Sequence, residues 1–293
     1  MQNKKILITG GNSNIGSDLV KFFLKENLIT STYNKKKINL SHKNLNQVKY
    51  NFKNKFLFNE KFDHLIHCAA ITPVKTKDNK KMIFDNLQGL KNILESKSSF
   101  GSIVLISTVS VYGEITTNLI TEKTKSKKLE NYGKSKILME KYLKKNKKKF
   151  NYLILRLPGI IGNFISNDNF LNNIISNTVK NKIVTIYGPQ KYFNNVIHTE
   201  TIAKIIKKFF LTKNPKHEIF NLSSKNPERL IDLVNFIKKQ LKSTSNIYMK
   251  ASSNKSFNIS TKKCLKFNIK LINTKSSITK TLSFILSNKI FER

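Results

Sequence analysis

At 293 residues, 39% of them hydrophobic, the chain is long enough to bury a full core, as one large α/β domain or as a domain with an added lobe, and a disordered or fibrous protein is excluded. A formal net charge of +37 ordinarily points to nucleic acid or an anionic membrane. Arginine, whose planar guanidinium suits phosphate and base edges, occurs only at Arg156, Arg229 and Arg293, and the remaining cations are lysines spread from Lys4 to Lys289, a drift of the whole surface rather than one patch. Cys68 and Cys264 have no metal-ligand spacing and make no disulfide framework. The opening apolar run Ile6 to Thr9 is too short for a signal peptide, and no segment approaches the roughly 20 apolar residues of a membrane span. The expectation is a cytoplasmic protein with no metal, no membrane partner and no specific nucleic-acid partner.

Ile6-Leu7-Ile8-Thr9 forms a short apolar strand, followed by Gly10-Gly11-Asn12-Ser13-Asn14-Ile15-Gly16, a Gly-rich turn leading into a helix. Such a turn lets backbone N–H groups and the positive helix end approach a pyrophosphate, so the segment reads as a dinucleotide site. Ser13 occupies the place of the usual middle glycine, which predicts a shifted turn or a strained backbone, with Asn12 and Asn14 able to take left-handed geometry. Ile15, Leu19, Phe22 and Phe23 recur at helical spacing, and Leu28 to Tyr33 is a strand. Further strands are expected at Asp63 to Ala70, Ser102 to Thr108 and Asn151 to Leu157, with a helix between the first two (Ile83, Leu87, Leu90, Leu94) and another at Tyr132 to Lys149. Strands alternating with helices imply a parallel sheet covered on both faces. Beyond Gly162 the spacing predicts helices near Phe170 to Thr178, Thr199 to Leu211 and Arg229 to Leu241, strands near Ile183 to Tyr187 and Glu218 to Leu222, and a weakly patterned tail.

Tyr132 and Lys136 lie four apart at the start of a helix, on one face. A phenol that exchanges a proton near neutral pH needs its pKa lowered, and a neighbouring ammonium favours phenolate. In so lysine-rich a chain Tyr-x-x-x-Lys arises by chance, and there are three matches. Tyr33/Lys37 lies at a strand end and Tyr187/Lys191 spans a Gly-Pro turn. Only Tyr132/Lys136 opens a helix soon after a strand ending in Ser107-Thr108, whose hydroxyls emerge where ligands of such sheets bind.

Several ordered segments resemble the NAD-dependent epimerase/dehydratase family of extended short-chain dehydrogenase/reductases, most of whose members modify nucleotide-linked sugars. Thr9-Gly10-Gly11 to Gly16 resembles the cofactor turn, and His67-Cys68-Ala69-Ala70 the strand end beside the cofactor. Phe84-Asp85-Asn86-Leu87-Gln88-Gly89, continued by Asn92-Ile93-Leu94-Glu95, resembles the central helix. Ser107-Thr108-Val109-Ser110-Val111-Tyr112-Gly113 is similar to the catalytic Ser/Thr segment, and Tyr132-Gly133-Lys134-Ser135-Lys136 to the catalytic Tyr and Lys. Leu155-Arg156-Leu157-Pro158-Gly159, Val196-Ile197-His198, Phe220-Asn221-Leu222 and Ile259 to Lys263 resemble later parts of the family pattern. The resemblance implies an α/β fold, a Rossmann-like doubly wound parallel sheet with a smaller, mostly C-terminal substrate-binding lobe. The dinucleotide-binding domain would be 1–158 with 194–224 returning to it, and the lobe 159–193 and 225–293. It implies Tyr132 as general acid/base, Lys136 as holder of the nicotinamide ribose, and Thr108 as hydrogen-bond partner of the same substrate oxygen. Cofactor contacts would come from Gly10, Asn12, Ser13, Asn14, Ile15, Gly16, Asn34, Lys35, Cys68, Ala69, Ala70, Tyr132, Lys136 and Pro158. His198 is read as structural, and a homodimer is the family's implication.

Departures from the family pattern refine this. The second strand ends Ser31-Thr32-Tyr33-Asn34-Lys35-Lys36-Lys37, without the acid that bonds the adenosine ribose in NAD-preferring relatives, so NADP is preferred over NAD. Val109 and Ser110 replace the Asp or Glu of dehydratases, leaving an epimerase or a 4-ketoreductase. The arginine expected between Gln190 and Val196 to grip a diphosphate is absent, with only Lys191 nearby. Competing readings are a reductase of a small non-sugar carbonyl compound, and a non-catalytic cofactor-sensing or nucleic-acid-binding protein on the same fold.

Overall fold

The computed structural model of the chain describes residues 1–51, 53–73, 76, 78–163, 169–212, 217–252, 257–265 and 268–288. These fall into two compact units: Met1–Glu114, Lys125–Arg156 and Ala203–Phe220 form the first, and Ile115–Thr124, Leu157–Ile202 and Asn221–Arg293 the second.

In the first unit, β1 (Lys5–Thr9), β2 (Leu28–Tyr33), β3 (Leu45–Lys49), β4 (Lys61–His67), β5 (Ser99–Thr108), β6 (Asn151–Leu157) and β7 (Glu218–Asn221) make one seven-stranded parallel sheet in the order β7-β6-β5-β4-β1-β2-β3. Central β1 is almost wholly buried, as its unbroken Ile-Leu-Ile run requires when both faces are covered. Its register sets Ile8 beside Ser31 on β2 and Ile66 on β4. The chain leaves β1 toward β2 on one side and returns as β4 on the other, which opens a crevice at their carboxyl ends. Helix α1 (Asn14–Leu24) follows β1 directly; α2 (Asn79–Leu94) and α3 (Asn131–Lys145) pack on each other. Their apolar faces, Leu90, Ile93, Met139 and Leu143, close over Leu65 and Ile103 of the sheet.

The second unit is built from two-stranded pairs: 159–161 with 196–198, 184–187 with 247–250, 119–120 with 258–259, all parallel, and 192–193 with 228–229, antiparallel. Helices α4 (Phe170–Val179), α6 (Leu230–Gln240) and α8 (Thr274–Ser287) bury Ile175, Leu233, Ile237, Ile278 and Leu282 in its core. Helix α5 (Thr199–Leu211) runs between the two stretches of chain, and α7 (Lys262–Leu265) is a single turn. Several elements lie outside the sequence expectation, among them the short strands of the second unit, β3 and α8. β3 is a half-exposed strand of mixed Leu-Asn-Gln-Val-Lys character, and α8 occupies the tail read as weakly patterned. Both cysteines are buried free thiols, and among the described residues no helix is long and apolar enough to cross a membrane.

Candidate active site

The turn after β1 accommodates Ser13 without strain. Ser13 is extended (φ −77°, ψ 164°), its Oγ accepts from Gly16 N at 3.1 Å and donates to Gly10 O at 2.7 Å, and it is the N-cap of α1. The left-handed position is Gly10, at φ +63°, while Asn12 and Asn14 stay out of that region, contrary to the role expected for them. A Cβ on Gly10 would lie 2.8 Å from Ala69 Cα, so this turn and the end of β4 are in contact. Thr9 ties them further: its Oγ1 accepts from Ala69 N (3.3 Å) and shares a hydrogen bond with His67 Nδ1 (3.0 Å), and its carbonyl accepts from Cys68 N. Asn14 and Ile15 head α1, at the positive end of the helix.

Tyr132 and Lys136 lie in the first turns of α3. Lys136 is 1% exposed, its Nζ donates to Ile106 O at 2.8 Å, and the same Nζ lies 5.9 Å from the centre of the Tyr132 ring. Burial lowers the Lys136 ammonium to about 8, a shift partly opposed by neighbouring Cys68 and Glu140. Burial also raises Tyr132 to about 12, which corrects the expectation that the adjacent ammonium lowers the phenol. The physical reason is that loss of water dominates at this half-buried ring while one Nζ donor is committed to a backbone carbonyl.

Thr108 ends β5 and caps the following single turn, residues 109–112: its Oγ1 accepts from Ser110 N and donates to Ser110 Oγ, both at 3.2 Å. That turn sits against α3 so closely that a Cβ on Gly133 would come within 2.2 Å of Ser110 O. Thus Thr108, bonded to Ser110, and Tyr132, preceding Gly133, are brought to the same junction, and Lys136 reaches the strand two residues before Thr108.

Sequence reasoning missed the residues that fasten this junction. Asn86 of α2 accepts from Ile71 N (2.7 Å) and donates to Ile71 O (3.0 Å) and Ser135 Oγ (3.1 Å), and Ser135 Oγ donates to Tyr132 O (2.8 Å). The loop after Ala70 is thereby held to the first turn of α3. Glu140, also on α3, takes both the Arg156 guanidinium and Ser107 Oγ. The partners are tens of residues apart in sequence, and no local spacing announces them. Burial lowers His67 to about 3, helped by the Lys136 charge, so its imidazole is neutral; burial raises Cys68 to about 12, so its thiol is protonated and a poor nucleophile.

At the end of β2, Ser31 and Thr32 are buried, and Thr32 Oγ1 accepts from Gly10 N at 3.2 Å. Their hydroxyls brace the turn, which leaves the exposed Asn34, Lys35, Lys36 and Lys37 as the groups at this edge. Pro158 belongs to the second unit. There, buried His198 accepts from Glu200 N through Nδ1 (3.1 Å). Where an arginine was sought, buried Asn194 donates to Ser223 Oγ, Ser224 O and Ile259 O and accepts from Ile259 N, and Lys191 Nζ donates to Ser252 O.

The family model described as the NAD dependent epimerase/dehydratase family matches residues 6–223. The chain belongs to this family. It is 25% identical over 274 residues to an ADP-L-glycero-D-manno-heptose-6-epimerase of Brachyspira hyodysenteriae, covering 83% of each chain. Among solved structures it is similar to a UDP-N-acetylglucosamine 4-epimerase from Methanobrevibacter ruminantium M1 in complex with UDP-N-acetylmuramic acid (TM-score 0.84, 19% identity, 98% of this chain and 100% of that one). It is also similar to a UDP-glucuronic acid 4-epimerase from Bacillus cereus in complex with UDP-glucuronic acid and NAD (TM-score 0.80, 19% identity, 97% and 99%). At those identities the solved structures show the shared fold. The chain is therefore an enzyme of the extended short-chain dehydrogenase/reductase type.

Proposed function

We propose that this family member epimerises a nucleotide-linked sugar through a keto intermediate. The observation that carries the reading is the junction of Tyr132, Lys136 and Thr108 with the glycine turn through the end of β4, with Val109 and Ser110 offering no carboxylate for dehydration. The residues fit a dinucleotide. Gly10 and the N-terminus of α1, with Asn12, Ser13, Asn14, Ile15 and Gly16, suit a pyrophosphate. Cys68, Ala69 and Ala70 would flank the nicotinamide end, and Asn34 and Lys35 would meet the adenosine ribose. When bound, the nicotinamide would supply reversible hydride transfer at a sugar carbon.

The chain's own part is alignment and proton transfer. Lys136 keeps two donors beyond the one spent on Ile106 O, and these would hold ribose hydroxyls. Tyr132 would serve as general acid/base on the substrate oxygen, taking the hydroxyl proton as a phenolate during oxidation of the carbon and returning it as a phenol during reduction, and Thr108 would hydrogen-bond the same oxygen once its hydroxyl turns from Ser110 Oγ. The experiment is incubation with ADP-heptose, UDP-glucose and UDP-N-acetylglucosamine, with mass spectrometry of the ligand released from the purified protein. Epimer formed without net change in 340 nm absorbance is expected; consumption of the reduced cofactor would replace the epimerase by a ketoreductase. The ketoreductase has one observation in its favour: the exposed, acid-free Asn34 to Lys37 edge suits the 2′-phosphate of NADP. Tighter binding of NADPH than of NADH is the expected result, and stoichiometric NAD in the purified protein would overturn that preference.

A further inference from the structure

Two side chains one helical turn apart on α3 grip two consecutive residues of β5. Lys136 Nζ holds Ile106 O (2.8 Å), Glu140 Oε1 takes the hydroxyl of Ser107 (2.7 Å), and the next residue is Thr108. Glu140 is 1% exposed, and it binds Arg156 of β6 through Nε to Oε1 (3.0 Å) and a second nitrogen to Oε2 (2.7 Å). Arg156 in turn donates to Tyr112 Oη (2.9 Å), so the turn capped by Thr108 is tied to the same group. A carboxylate with this many charge-assisted bonds is fixed in place, and it fixes what it holds.

The charged and titratable groups around Lys136 are His67 and Cys68 at the end of β4 and Tyr132 and Glu140 on α3, with Arg156 behind Glu140 and Lys144 3.8 Å from its Oε2. His67 is neutral and Cys68 protonated at pH 7, which leaves Glu140 as the anion of this layer. Removing its charge would leave Arg156 as a second uncompensated cation beside a buried ammonium. Resting on the reading that Lys136 holds the cofactor ribose, we propose that Glu140 is a positioning residue: it clamps the Ser107-Thr108 strand end to α3 and supplies the negative charge that keeps the buried Lys136 an ammonium.

The test is titration with NADH or NADPH, whichever binds tighter, followed by fluorescence from pH 6 to 10, with circular dichroism to confirm folding. In the parent, affinity should fall as pH rises through about 8. Glu140→Gln should move that midpoint about one unit toward acid, and Arg156→Met, which removes the opposing cation, should move it toward alkali. A merely structural role would not give opposite shifts, and a Glu140→Gln midpoint equal to the parent's would overturn the proposal. Should these replacements leave too little folded protein, Glu140→Asp decides. Three-fold or more loss of affinity at pH 7 with the midpoint unmoved supports the clamp, and parental affinity overturns it. Lys136→Met separates the two levels of inference: parental affinity there would remove the cofactor-holding role of Lys136 itself, whereas weak, pH-independent binding leaves the fate of Glu140 to the other variants.

Discussion

At the residue scale, the environment of each group sets what it can do. A phenol beside a lysine that still carries spare donors can take up and return the proton of a substrate oxygen. Tyr132→Phe should therefore lower turnover by about 10²-fold or more while leaving dinucleotide affinity within a few-fold of the parent, checked by steady-state kinetics beside fluorescence titration. His67 makes a different prediction. Its folded value, about 3, lies below the ordinary 6.5, so the unfolded chain binds a proton that the folded one rejects. Stability from this group is present above pH 6.5 and is lost as pH falls toward 3, with a slope approaching about 1.4 kcal/mol per pH unit. His67→Gln should flatten that acid slope in urea denaturation at pH 7 and pH 5, and an unchanged slope would show that other groups set it.

At the element scale, the strand, turn and helix from Lys5 to Leu24 are one device in which Ser13 closes the helix start from both sides. Loss of both bonds in Ser13→Ala should cost about 1 kcal/mol, measured by denaturant midpoint, whereas Ser13→Gly should cost only a few tenths, because a glycine N-cap leaves the helix start open to water. This element was legible from its residues, since an apolar run, clustered Gly and Asn, and a 3.6 period all agree. The pair Tyr132/Lys136 was legible by its placement rather than its spacing. The same spacing at Tyr187 and Lys191 comes to nothing, because Lys191 bonds Ser252 O and Lys250 is the lysine over the Tyr187 ring. What stayed hidden has physical reasons. β3 buries too little to impose an alternating pattern, and α8 dilutes its core face with Ser, Thr and Lys. Yet Ile278, Leu282 and Ile285 do recur on one face of α8 and are buried. Leu282→Ala should therefore destabilise the protein by about 2–5 kcal/mol, a loss no surface helix would show. Asn86 and Glu140 lay beyond sequence reading for another reason, since their roles exist only once strands and helices distant in the chain are packed.

At the scale of the whole molecule, the unusual quantity is charge. Only 17 acidic residues face 54 lysines and arginines, and among the described residues eight of those acids already sit in ion pairs, among them Lys207 with Glu26 and Lys4 with Asp63. Most lysines therefore face other cations across water, and the surface repels itself. Exposed pairs contribute little individually, about 0–1 kcal/mol, while repulsion summed over many lysines acts on the compact state as a whole. Salt screens both, but the repulsive contacts are far more numerous. Raising NaCl from 20 to 500 mM, which shrinks the screening length to a few ångströms, should raise the melting temperature by several degrees. A falling melting temperature would mean that the ion pairs outweigh the repulsion. The same titration separates surface charge from the site: the buried Lys136 and Glu140 lie beyond the reach of bulk ions, so the pH midpoint of dinucleotide binding should shift far less with salt than the melting temperature does.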